Sequence, residues 1–342
     1  MTEAPDHPWL GGLFGDEEAA AIWSPERQLG HMLAFEAAFT RARWGASVAG
    51  AEAAARAIEG LRIDPSDLRA GTARDGVPVP ALVRLLREAA DPDLVHAGAT
   101  SQDVMDTALA LALRETAALA DARLGALLAA LERLAARDGE REIMGRTRMQ
   151  AALPIRARHR IGAWTRPLAR HRARLRAAAE GAAVLQLGGP VGDRAALGDE
   201  ADRIAAEMAA ALGLADGPSW HAERDGVVAF AAALANLCAS LGKIGTDVCL
   251  MVQQGVDAAS LAGGGGSSAM AHKANPVRAE ILAALARHAA GLAGGMLHAG
   301  LHEQERSGAA WALEWLTLPP LARTSLRALA LAREVADDLR VG

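Results

Sequence analysis

From Asp103 to Arg137 the chain carries no proline and a single glycine, Gly125, while Leu109, Leu113, Leu124, Leu127, Leu128, Leu131 and Leu134 recur at three- and four-residue spacing. At 1.5 Å per residue this run makes one helix about 50 Å long. A rod of that length has to be covered by other long helices. The sequence supplies them in periodic runs over about 155–180, 226–261, 277–298 and 308–338, separated by Gly/Pro-rich breaks at 188–192, 213–218 and 263–268. The expected fold is all-α, a central bundle of long helices. Apolar residues make up 51% and aromatics 3% of the 342 residues, so Ala and Leu dominate and a β-rich fold is excluded.

Before the long run, Ser24-Pro25-Glu26 reads as a helix cap with proline at the first helical position. Pro65, Pro78 and Pro80 with Gly71 and Gly76 then break the pattern, and Asp91-Pro92 breaks it again. We divide the chain into a small helical N-terminal domain, 1–95, a central bundle, 96–300, and a C-terminal helical segment, 301–342. Helices this rich in alanine are apolar over a wide arc, which predicts burial against partner chains and hence a homo-oligomer.

The formal net charge of −5 provides no global basic field, so nucleic acid is not the expected partner, whereas a small anion remains compatible through local charge. Cys238 and Cys249 lie too far apart along one helix to form a disulfide, which suits a reducing, cytoplasmic setting. Met1–Leu10 lacks the basic-then-apolar pattern of a signal peptide, and no run of membrane character is expected. With no tyrosine present, proton transfer must use Ser, His, Lys or carboxylates.

Three segments carry chemistry. In His96–Thr107, Thr100 or Ser101 caps the long helix with Asp103 three residues on; this is a capping box, and also a place where hydroxyls and free amides attract a carboxylate, with His96 nearby as a proton donor or binder. Gly145–Pro154, containing Arg146, Arg148 and Gln150, reads as a basic connector between helices or as an anion contact. In Gly263–Glu280, four consecutive glycines lead into Ser267-Ser268, His272-Lys273 and Asn275-Pro276. That run reads as a loop over a site, with Asn275 capping the next helix and Lys273 stabilising an oxyanion. It is not a nucleotide phosphate loop, since no Gly-Lys-Ser/Thr ends it. His298, His302 and Glu303 have metal-like spacing, but Gly300 intervenes and no second pair exists, so no metal is expected. Trp311 and Trp315 read as packing, and Asp247 and Asp257 as polar contacts or subunit pairing.

Thr100-Ser-Gln-Asp103, Gly145-Arg-Thr147 and Gly266-Ser-Ser-Ala-Met-Ala-His-Lys-Ala-Asn-Pro276, in that order along the chain, resemble the three signature regions of the fumarase/aspartase superfamily. His96–Thr107 and His302–Trp315 are similar to the bacterial 3-carboxy-cis,cis-muconate cycloisomerase branch, as is the opening from Gly11 to Glu36. The resemblance implies lactonisation of 3-carboxy-cis,cis-muconate in protocatechuate (β-ketoadipate) degradation, without a cofactor. It implies catalytic roles for Ser267, Lys273 and His96, with Thr100, Ser101, Arg148, Gln150, Asn275 and Arg278 binding substrate carboxylates and Glu280 behind them. Arg148 stands where most superfamily lyases have a histidine, which suggests either an Arg148–Glu280 contact or an Arg148–substrate contact. Ala271 replaces the usual proline after methionine. The family pattern further implies a homotetramer with shared active sites and a C-terminal domain shorter here than usual. The alternatives are a fumarate-releasing lyase of the adenylosuccinate or argininosuccinate type, and a non-catalytic helical scaffold.

Overall fold

The structure is a computed structural model that describes residues 4–45, 47–266, 268–270 and 272–342. Its principal helices are α1 (Pro25–Trp44), α2 (Ala51–Gly60), α3 (Val79–Ala89), α4 (Ser101–Asp138), α5 (Ala157–Ala182), α6 (Ala201–Leu212), α7 (Asp225–Met251), α8 (Val277–Ala299) and α9 (Gly308–Asp338). Short helices and, among the described residues, four short strands accompany them: β1 (Glu142–Thr147) pairs antiparallel with β2 (Gln150–Arg156), and β3 (Ala259–Leu261) pairs antiparallel with β4 (Leu339–Val341).

Helix α4 is the long rod that the leucine spacing predicts. Thr100 and Asp103 form the reciprocal capping box at its start, the Thr100 amide donating to Asp103 Oδ2 at 2.9 Å. Leu113, Leu124, Leu127, Leu131 and Leu134 fill its buried face and meet Trp164 and Leu168 of α5 and Leu321, Leu329 and Val335 of α9 in one cluster. The Ser24 cap also forms, its hydroxyl accepting from the Arg27 amide at 3.1 Å.

A second cluster surrounds Phe35, Phe39, Leu82, Leu86 and Val104. Leu185, Leu187, Ile204 and Met208 from the middle of the chain join it, so α6 packs on α1 rather than in the central bundle. Conversely, α9 lies against α4, α7 and α8 within the main bundle. Its Pro319 and Pro320 sit inside a continuous helix. Buried Leu318 and Leu321 on either side hold that turn in place although proline withdraws backbone donors.

The structure corrects three local expectations. The basic connector is a β-hairpin, and the run expected to stay helical to 261 stops at Met251. Gly255 and Asp257 take left-handed backbone angles there, Asp257 Oδ2 accepting from the Gly255 amide, so Asp257 is not on the helix. Helix α8 begins at Val277 with Pro276 in the cap position and no side-chain cap from Asn275. Helix α7 is long and apolar enough to cross a membrane by length and composition, yet Phe230, Leu234, Leu237 and Leu241 are buried against α5, α8 and α9. Half of the residues of its most apolar window are buried within the chain.

Cys238 and Cys249 are free, and burial pushes the Cys238 thiol up to about 11. Leu234, with no exposed surface, anchors α7 in the main cluster. Leu234→Ala is expected to lower unfolding stability by about 2–5 kcal/mol, measured by denaturant titration with an unchanged slope.

Candidate active site

The first segment is organised by the N-terminal turns of α4. His96 holds a left-handed backbone angle, φ 59°, and its Nδ1 lies 2.6 Å from Oε1 of the fully buried Glu36. That carboxylate orients the ring through Nδ1. His96 and Ser101 line one open cavity of about 510 Å³ with Val83, Arg84 and Arg87. Thr100 stands beside it, its Oγ1 accepting from Arg306 Nη2 at 3.4 Å.

Asp103 is consumed by structure. Besides the Thr100 amide it accepts from the amides of Gly188 (2.7 Å) and Gly189 (2.9 Å), from Gln186 Nε2 (3.2 Å) and from His221 Nε2 (3.0 Å). One carboxylate thereby joins α4 to the 185–194 loop. A turn further along, Asp106 and Glu314 grip the fully buried Arg224: Arg224 Nη1 donates to Asp106 at 2.6 Å and Nη2 to Glu314 at 2.6 Å. Trp311 Nε1 and Gln102 Nε2 also donate to Asp106, at 3.1 and 3.0 Å, and the Arg224 guanidinium stacks over Trp220 at 4.6 Å. Gln102 Oε1 accepts from Arg306 Nε at 2.7 Å, carrying the network out to Thr100.

Two carboxylates share one arginine here. Burial, reinforced by Asp106, raises the Glu314 pKa to about 7 against the opposing pull of Arg224. Arg224 itself is held well above its ordinary value, the two carboxylates outweighing its desolvation.

The second segment is the hairpin. Its turn residues Arg148 and Met149 have φ 48° and 67°, the two successive left-handed residues of a tight hairpin turn that asparagine and glycine favour. Holding non-glycine residues there costs about 1–3 kcal/mol each, and it puts Arg148 at the exposed tip. Arg146, Arg148, His159, Arg160 and Lys243 line a cleft of about 820 Å³ between the hairpin, α5 and α7. Asp247 faces the same cleft but is taken by Lys243 Nζ and Trp164 Nε1, each at 2.7 Å. No ion pair engages Arg146 or Arg148 among the described residues. Gln150 is exposed on β2 beside them.

In the third segment, the Gly265 and Asn275 amides each donate to the other residue's carbonyl at 2.8 Å, clasping the base of the glycine-rich loop. Ser267 and Ala271 lie outside the described residues. Lys273 is exposed, and its amide donates to the Met270 carbonyl at 3.1 Å. Arg278 pairs with Asp338 and, at 3.7 Å, with Glu334 on α9. Glu280 is exposed on α8 close enough to Cys249 to raise that thiol's pKa, behind the larger effect of burial. Among the described residues no ion pair joins it to Arg148. His302 lies past the end of α8, and no three-residue His/Cys/Asp/Glu cluster able to hold a metal occurs among the described residues.

Within one chain the segments therefore stay apart. His96 and Ser101 line one cavity, Arg148 a second, and Gly263, Gly265 and Arg278 a third. Reading the sequence missed Arg306 as the partner of Thr100 and Gln102, and Arg224 as the partner of Asp106, because residues more than a hundred positions apart carry no common spacing.

This bundle of long helices with a capped central rod and a glycine-rich loop is that of a lyase: a family model described as Lyase matches residues 51–291, and the chain belongs to that family. It is similar to the 3-carboxy-cis,cis-muconate cycloisomerase of Pseudomonas aeruginosa, 38% identical over all of this chain and 77% of the relative. The crystal structure of the 3-carboxy-cis,cis-muconate lactonizing enzyme from Pseudomonas putida superposes with a TM-score of 0.91 at 34% identity, over 98% of this chain and 78% of that one. The nitrosuccinate lyase of Streptomyces davaonensis is 36% identical over 92% of this chain and 70% of its own.

The shared arginine makes stability depend on pH. Glu314 ionises near 4.5 when unfolded and near 7 when folded, so its contribution is full below about 4.5 and is lost as pH rises through about 7. Unfolding free energy measured across that window is expected to fall with rising pH, and Glu314→Gln to flatten the decline. Arg224→Met, leaving two buried carboxylates without their cation, is expected to cost about 3–5 kcal/mol by the same measurement.

Proposed function

We propose that this protein lactonises 3-carboxy-cis,cis-muconate. The observation that carries the reading is the cleft under the hairpin, where Arg146, Arg148 and Arg160 offer guanidinium groups to a polycarboxylate although the chain as a whole is acidic. It agrees with relatives whose names are cycloisomerase and which match over the full chain. One substrate carboxylate adds to a conjugated carbon of the same molecule, forming the ring C–O bond. The electron pair displaced from the double bond resides on the neighbouring carbon and its carboxylate until a proton is delivered there, so the reaction is an isomerisation with no other reactant.

In this reading the fixed donors act where that charge develops: Lys273, Asn275, the α4 N-terminus with Thr100 and Ser101, and Gln150 and Arg148 from the hairpin. Ser267 or His96 supplies the proton, with the His96 ring oriented by its Nδ1 contact to Glu36. Arg278, tied to Asp338, takes no part in our scheme beyond anchoring α8. The three segments line separate cavities, which supports a homo-oligomer, in our reading a tetramer, whose sites draw one segment from each of several chains. The free, buried Cys238 suits a reducing cytoplasm. The nitrosuccinate lyase relative favours one second reading, elimination from a substituted succinate with release of fumarate.

Incubated with 3-carboxy-cis,cis-muconate, the protein is expected to abolish the ultraviolet absorbance of the conjugated diene, and Ser267→Ala to lose that activity while keeping its fold. Arg148→Ala is expected to raise KM about tenfold or more through a lost charge-assisted contact. Mixing inactive Ser267→Ala with inactive Arg148→Glu and refolding them together restores activity if sites are shared between chains. No loss of diene, with fumarate released from nitrosuccinate, transfers the assignment to the second reading.

A further inference from the structure

Among the described residues that line the hairpin cleft, Asp247 is the one acid, set against Arg146, Arg148, Arg160 and Lys243. A carboxylate in such company is expected to pair with a guanidinium and cancel it. The structure arranges it otherwise. Asp247 Oδ2 accepts from Trp164 Nε1 of α5 and from Lys243 Nζ of α7, each at 2.7 Å, so both donors come from the helical side of the cleft. No ion pair joins Asp247 to Arg146, Arg148 or Arg160 among the described residues, and Arg160 reaches the Met144 carbonyl at 3.4 Å instead. The acid is spent on the lysine, and the guanidinium groups stay free of it.

The indole accounts for the place of the carboxylate. Trp164 is buried in the main cluster, and a buried indole N–H needs an acceptor, which fixes Asp247 against a rigid wall. It does not account for the lysine. The Lys243 side chain is 53% exposed, and a pair four residues apart with the lysine N-terminal to the acid contributes little to stability. What the pair does achieve is to hold a flexible four-carbon stem at one place on the cleft wall. The ammonium has three N–H donors; Asp247 takes one, and no other hydrogen bond of Nζ occurs among the described residues, which leaves two for an occupant.

The cations stand on separate walls. Arg146 and Arg148 belong to the hairpin and Lys243 to α7, with Met144, Leu153, Leu250 and Met251 among them around a space of about 820 Å³. Separated positive charges with hydrocarbon between them match an anion built the same way, carboxylates carried on a hydrocarbon spacer. A monocarboxylate satisfies one wall only.

We propose that Lys243 binds one carboxylate of a polycarboxylate whose other end is held by the hairpin arginines, and that Asp247 is the positioning residue that keeps the ammonium in place. For the identity of the reacting molecule this rests on the lactonisation reading; the charge and shape of the ligand follow from the cleft alone.

The test uses the full chain and two readouts: loss of diene absorbance from 3-carboxy-cis,cis-muconate, and calorimetric titration with propane-1,2,3-tricarboxylate, a probe that cannot lactonise. Lys243→Met, which keeps the stem and removes the charge, is expected to raise KM at least about tenfold with kcat within about twofold, and to weaken the tricarboxylate to the same extent. Butanoate is expected to bind at least about tenfold more weakly than the tricarboxylate. Asp247→Asn, which keeps an acceptor for Trp164, is expected to raise KM about fivefold alone and to add nothing in a Lys243→Met background, because it acts through the lysine. A merely structural Asp247 would instead lower unfolding stability and leave KM where it was. The proposal is overturned by unchanged tricarboxylate affinity in Lys243→Met, by butanoate binding as tightly, by tighter binding in Asp247→Asn, or by additive effects of the two substitutions. Diene left intact by a protein that binds the tricarboxylate through Lys243 overturns the lactonisation reading and upholds this one; diene consumed with KM unchanged in Lys243→Met does the reverse.

Discussion

Arg224, its side chain fully buried, sits between one carboxylate from α4 and one from α9, and the geometry of the capped end of the rod rests on that contact. Two anions and one cation in a dry interior stabilise each other only if every remaining lone pair is met, and Trp311, Gln102 and the Trp220 ring complete the set around Asp106 and Arg224. Asp103, one turn earlier, performs the same service for the 185–194 loop with five donors. The first two turns of α4 are thus pinned to three distant parts of the chain, and His96, Thr100 and Ser101 inherit their positions from that pinning.

The far end of the rod is secured differently. Asp138, the last residue of α4, accepts from Arg137 and from the Val341 amide, so the terminal strand is stitched to the rod while it pairs with 259–261. The glycine-rich loop leaves directly from that small sheet and returns through the Gly265–Asn275 clasp into α8. Arg278, on the first turn of α8, is held by the acids at the end of α9. Loop, strand pair and helix ends form one unit, and its placement follows from ion pairs that the loop's own sequence does not contain.

Charge is distributed with the same economy. Most arginines are spent on neighbouring carboxylates, as in the Arg172 and Arg176 pair on Asp121, which holds that carboxyl far below its usual range. In the hairpin cleft Arg146 and Arg148 face open space beside Arg160. An acidic chain presents a cationic surface there because its acids are used elsewhere, and the strained turn at Arg148–Met149 lifts one guanidinium to the rim.

Much of this was legible in the residues themselves. Leucine spacing predicts α4 and α9 nearly to their ends, Ser24-Pro25 and Thr100–Asp103 predict two caps, and the three signature segments point to the family, because each of these signals lies within a few residues of chain. The hairpin was not legible: Arg-Met at its turn defies the usual turn chemistry, and only pairing of 142–147 with 150–156 makes that conformation worth its strain. Nor was the pairing of Arg278, which depends on the end of α9. Local periodicity and capping decided which helices form and where they start; the ionic contacts among Asp106, Arg224 and Glu314 and the clasp of the loop were decided only in three dimensions, because burial alone sets which charges must find each other.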